Sequence, residues 1–196
     1  MKSCAVCRFC FVGRQTPDGF ALKYFQEWVF IMKKRIYQLL VDNTSGVLSR
    51  IAGLFSRRGY NIDSLTVGVT ADPRYSRMTI VSSGDDLTLD QIGKQLEKLV
   101  DVRDLKILKE GESVTRELVL IKIKASQENR QNIISIANIF RAKIVDVGVN
   151  SLVIELIGTD SKLKAFSELL EGYEILELAR TGLTGLSRGM DDVTYL

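Results

Sequence analysis

Apolar positions recur along this chain in two rhythms. Residues 35–42, RIYQLLVD, are nearly continuous in apolar side chains, the pattern of a buried strand. Val47, Leu48, Ile51, Leu54 and Phe55 then recur at helical spacing. Ser45 is placed to cap that helix. Arg57 and Arg58 lie in its last turn, where cations suit the helix dipole, and Gly59 is placed to end it. Leu65, Val67 and Val69 alternate with Ser64, Thr66 and Gly68 at strand period. Residues 71–74 read as a turn, because Pro73 cannot continue a central strand. Residues 77–83 form the next strand, and Gly84-Asp85-Asp86 breaks it. Leu89, Ile92, Leu96 and Leu99 mark a second helix, and residues 102–109 a fourth strand. The order is β-α-β-β-α-β, the ferredoxin-like split arrangement.

The same order then returns. Residues 117–124 alternate, with Val119, Ile121 and Ile123 inward. Residues 129–140 carry Ile133, Ile136, Ala137 and Phe140 on one helical stripe. Strands at 143–149 and 152–157 flank Asn150-Ser151. A helix at 161–171 turns Leu163, Phe166 and Leu170 inward, and residues 173–179 form the last strand. The two copies share little residue identity, so the repeat is one of pattern. The expected fold class is therefore α+β, with two tandem ferredoxin-like βαββαβ domains at residues 33–111 and 115–180. An extension at 1–32 precedes them and a tail at 181–196 follows. The tail contains TGLTGLSRG, whose composition favours a mobile terminus over a segment docked on a partner.

Charge removes several function classes. The net charge is +3, and residues 1–31 carry +2 of it, leaving +1 on the rest. That balance gives no electrostatic footprint for nucleic acid. The strands that stack bases in ferredoxin-like RNA-binding domains offer only Tyr37 here. No run of about 18 apolar residues occurs, so no membrane helix is expected. Cys4, Cys7 and Cys10 all lie near the start, with none in the body, which suits a reducing, cytoplasmic setting. Their spacing lacks the fourth ligand that an iron–sulfur or zinc site needs, and the chain has no histidine to supply it. No metal site is expected. Met32-Lys33-Lys34-Arg35 reads like a second beginning, which makes the upstream extension a candidate misassigned start. No nucleophile elbow, phosphate loop or dinucleotide fingerprint occurs, and the carboxylates sit singly on polar faces or in turns. No catalytic residue is expected.

One loop stands out, residues 42–46, DNTSG, at the start of the first helix. A helix N-terminus offers unpaired N–H groups and a partial positive charge, so it can hold a carboxylate. Gly46 lacks a Cβ that would block a ligand. The amides of Asn43 and Asn61 can bond both the ammonium and the carboxylate of a free amino acid. Val47, Leu48 and Ile62 supply apolar surface for a branched side chain. The plain alternative is a capped turn followed by an ordinary turn asparagine.

DNTSGVLSRIAGLFSRRGYNIDSLTV, followed by SRMTI, QLEKLVDV and finally ARTGLTGLSRG, resembles the small regulatory subunit of acetohydroxyacid synthase (acetolactate synthase). The resemblance spans about residues 33–190. It implies that the first domain is an ACT domain, the amino-acid-sensing version of this fold, which pairs with a second copy into a continuous sheet. It further implies that L-valine binds at that interface, between Asn43, Gly46, Val47 and Leu48 of one chain and Asn61 and Ile62 of the other. The implied partner is a separate catalytic subunit that uses thiamin diphosphate, magnesium and FAD, with no cofactor in this chain. The small subunit would activate that partner and confer valine feedback in branched-chain amino-acid synthesis. The second domain and tail would help contact the partner. Two other classes stay open: a free-standing ACT-type regulator of another protein, and a small enzyme on the same fold.

Overall fold

Strand β1 (Lys33–Asp42) is the centre from which the first half is built. It leads through a short loop into α1 (Val47–Arg58), then β2 (Ser64–Val69), β3 (Tyr75–Gly84), α2 (Asp86–Leu96) and β4 (Val102–Leu108). A computed structural model describes residues 33–189. The expectations for residues 1–32, with Cys4, Cys7 and Cys10, and for 190–196 lie outside the described residues.

The strands form an antiparallel sheet in the order β2-β3-β1-β4. One face carries Tyr37, Leu39, Val41, Met78 and Ile80. It packs against Val47, Ile51, Leu54 and Phe55 of α1 and Leu89, Ile92 and Leu96 of α2. These are the stripes that helical spacing picks out. Asp85 caps α2 by accepting from the Thr88 N–H at 2.6 Å. Gly59 closes α1 at φ +70°, its N–H reaching back to Phe55 and Ser56.

The second half repeats the plan with β5 (Ser113–Lys124), α3 (Arg130–Ile139), β6 (Lys143–Val147), β7 (Ser151–Gly158), α4 (Asp160–Leu169) and β8 (Ile175–Arg180). Its sheet has the matching order β6-β7-β5-β8. Val119, Ile121, Ile123, Leu152, Ile154 and Leu156 form the covered face, beneath Ile133, Ala137, Leu163, Phe166 and Leu170. The chain is thus α+β, with two tandem βαββαβ units.

Two expectations are corrected. Ser45 does not cap α1; Gly46 stands at the cap position, with no side-chain hydrogen bond. The second correction concerns the tail. Residues 181–189 do not trail away but run as a strap containing β9 (Thr184–Ser187), which pairs with the first four residues of β5. This pairing is why β5 begins at Ser113 rather than at 117. The strap also lies on the face of the first sheet that the helices leave open. There Gln38 Nε2 donates to the Gly185 carbonyl at 3.2 Å, and Gln38, Leu40, Thr79 and Val81 are buried. Glycines permit this approach. A Cβ on Gly185 would sit 2.8 Å from both Leu108 Cδ1 and Thr115 Cγ2.

Candidate effector-binding site

The loop between β1 and α1 is held from two sides. Asp42 accepts from Arg103 Nε at 2.8 Å and Nη2 at 2.6 Å, a pairing that holds its carboxyl below the usual carboxylate range. Asn43 fastens the loop to the β2–β3 turn. Its N–H donates to Arg74 O at 2.7 Å and its Nδ2 to Pro73 O at 2.9 Å, while its Oδ1 accepts from Ser76 Oγ at 3.1 Å. An amide has two donor hydrogens and two acceptor lone pairs, so exposed Asn43 keeps capacity for a ligand.

Gly46 adopts φ +88°, a left-handed conformation that only glycine takes freely. Its carbonyl accepts the first helical bond, from Arg50 N at 2.9 Å. With no side-chain cap and no acidic residue in the first turn, the positive end of α1 stands open. Arg50 adds to it. Its Nε and Nη2 are engaged by Asp101 at 2.6 and 2.7 Å, and its Nη1 lies 3.2 Å from where a Gly46 Cβ would be.

The other residues of the expected site take different places. Leu48 is 45% exposed at the mouth of the loop, but Val47 is 2% exposed and belongs to the core, so its backbone N–H rather than its side chain faces the loop. Asn61 is exposed, with Nδ2 donating to Asp63 Oδ1 at 2.6 Å and its carbonyl accepting from Ser82 Oγ at 2.7 Å. Ile62 is half-buried against the same core. The first set therefore lies at the start of α1 and the second beyond its end. A helix of 12 residues rises about 18 Å, so within one protomer a single amino acid does not bridge them.

Sequence reasoning missed the Asp42–Arg103 and Arg50–Asp101 pairs, which have no short-range signature. It also missed the strap against β2. The glycines of TGLTG were the available signal, since glycine marks close approach of backbones. Among the described residues, no group of three or more metal-ligating side chains occurs, and no helix is long and apolar enough to cross a membrane.

Comparison with known proteins agrees with this architecture. The AHAS small subunit-like ACT domain model matches residues 37–104, and the model of the small subunit of acetolactate synthase matches 116–189. The chain is 49% identical over 155 residues to a probable acetolactate synthase small subunit of Methanothermobacter thermautotrophicus, covering 79% of this chain and 92% of that one. It is also 49% identical over 157 residues to the acetolactate synthase isozyme 3 small subunit of Escherichia coli, covering 80% and 96%. The crystal structure of the acetolactate synthase small subunit from Thermotoga maritima superposes with a TM-score of 0.74 at 40% identity, over 81% of this chain and 99% of that one. The two matched segments fall on the two βαββαβ units and the strap, and the chain belongs to the family of acetolactate synthase small subunits, with an ACT domain as its first unit.

Proposed function

We propose that the chain is a non-catalytic regulatory subunit that activates the separate catalytic subunit of acetolactate synthase. It confers feedback inhibition by L-valine in branched-chain amino-acid biosynthesis, in the cytoplasm. Thiamin diphosphate, magnesium and FAD belong to the catalytic partner. The observation that carries the reading is the open N-terminus of α1 at Gly46, a positive backbone pocket on a small-subunit ACT domain.

L-Valine binds between two protomers that pair through their ACT domains. The N–H groups after Gly46 hold its carboxylate, and Asn43 meets its charged groups. Leu48 contributes apolar surface from the same protomer; Asn61 and Ile62 come from the neighbour. The separation of the two residue sets along α1 supports a site shared between chains. Valine shifts the balance between two arrangements of the dimer by the difference in its affinity for them. A coupling of about 1–3 kcal/mol is the usual size of such an effect.

Calorimetric titration of the chain with L-valine, with D-valine as control, tests the site. Saturable binding of the L form alone is expected, followed by inhibition in the complex reconstituted with the catalytic subunit. Absence of binding at millimolar L-valine would remove the sensing role.

A further inference from the structure

Strand β2 begins two residues after Ile62. Ser64 and Thr66 alternate with Leu65, which packs toward the core, so both hydroxyls face the opposite side of the sheet. There they meet the strap. Leu183 N donates to Ser64 Oγ at 2.9 Å, and Thr66 Oγ1 donates to Leu183 O. Both backbone groups of Leu183 thus end on side chains of the effector-side strand. The approach is close at Gly182, which sits at φ +86° and whose Cβ would lie 2.6 Å from Ser64 Oγ, so a side chain there would be strained and would displace that hydroxyl.

On both sides of Leu183 the strap is rooted in the second unit. Thr181 N donates to Leu118 O at 3.1 Å, and β9 pairs with Ser113–Arg116 of β5. The same β5 continues as a central strand of the second sheet. A shift of β2 at its Asn61–Ile62 end therefore has a direct bonded route to the second sheet. Beside this route lies a cavity of about 740 Å³ bordered by Gln38, Leu40, Thr66 and Leu186.

We propose that Ser64 and Thr66 are positioning residues that couple effector occupancy on the ACT domain to the C-terminal unit through Leu183 and the strap. The inference rests on the valine-responsive reading given above. The route is built from hydroxyl-to-backbone bonds, which can be removed without disturbing the core or the effector residues.

The test uses the full chain assembled with its catalytic subunit. A Ser64→Ala/Thr66→Val variant is expected to bind L-valine within about twofold of the parent and to activate normally. Its residual activity at saturating L-valine should rise about fivefold or more, the low end of typical coupling. Thr66→Ser keeps the hydroxyl and should keep inhibition. Inhibition of the double variant equal to that of the parent would overturn the coupling. If that variant does not fold, hydrogen exchange on the unaltered complex decides: L-valine but not D-valine should change protection across residues 181–187, and no change overturns the proposal. A parent that binds no L-valine overturns the regulatory reading itself, and the coupling falls with it.

Discussion

At the scale of single residues, Gly46 carries the most information. An L-residue in the left-handed region costs about 1–2 kcal/mol, and asparagine tolerates it best. Gly46→Ala should therefore lower unfolding free energy by about 1 kcal/mol in denaturant titration, and Gly46→Asn by less. Gly46→Asp should do more than strain the backbone. Its carboxylate would stand over the open helix end beside Arg50 Nη1, the place proposed for the valine carboxylate. Valine-resistant activity with retained subunit association is expected; undiminished inhibition would refute the placement. Tyr37 offers a second residue-level prediction. Its ring is fully buried, its hydroxyl donates to Leu89 O at 2.6 Å, and burial pushes its pKa up to about 12. The folded state thus favours the neutral phenol. Its contribution is fully present below the ordinary value near 10 and is lost as pH rises from there through about 12. A stability–pH profile should fall over that window, and less so in Tyr37→Phe. The sequence exposed the glycine and the loop, but not the cap. Ser45 has the right chemistry for capping, and only the backbone turn at Gly46 removes it from that role. Val47 likewise follows the core stripe rather than the pocket, because one helical face holds both assignments until the sheet is in place.

At the scale of elements, periodicity was enough to read nearly every strand and helix. Each unit has one face under two helices, so strands alternate and helices carry stripes. The strap was not readable, because it has no rhythm of its own. Its order comes from a groove made by residues 64–66, 108 and 113–116, far away in sequence. Gly185→Val is expected to press against Leu108, Thr115 and the Val114 carbonyl and lift the strap. Overpacking of this kind costs about 1–3 kcal/mol. Tryptic cleavage at Arg188, whose N–H now donates to Glu112 O at 2.8 Å, should accelerate, and an unchanged cleavage rate would count against the packing. The base of the strap is set by a different force. Arg180 clasps Glu117 through two bonds of 2.8 and 2.7 Å, and the Glu117 carboxylate is only 7% exposed. Arg180→Ala would leave that charge short of its partner, a loss of about 1.5–3 kcal/mol for charge-assisted bonds. Denaturant titration should show that loss, and at most about 1 kcal/mol for breaking either of the exposed Lys33–Asp86 and Lys124–Glu174 pairs.

At the scale of the whole molecule, the proposed effector site needs two protomers to complete it. Strand β2 is an edge: it pairs with β3 on one side, and no other strand pairs with its second side within the described residues. Val67 and Val69 are 46% and 62% exposed there. Such an edge is a template for another chain, and a second β2 would extend the sheet without a break. The register places Thr70 N on Tyr75 O, so the alternate residues Val67 and Val69 turn their N–H groups away from β3. Val67→Pro would remove an outward donor while sparing the bonds to β3. The proposed dimer then makes two linked predictions. Sedimentation of Val67→Pro should show a monomer with its near-ultraviolet circular dichroism retained. L-Valine binding should vanish with the dimer, because the monomer keeps Asn43 and Gly46 at one end of α1 and Asn61 and Ile62 at the other, about 18 Å apart. A monomer that still bound valine would place the whole site within one chain. That result would discard the shared interface while leaving the open helix end at Gly46 as the carboxylate anchor.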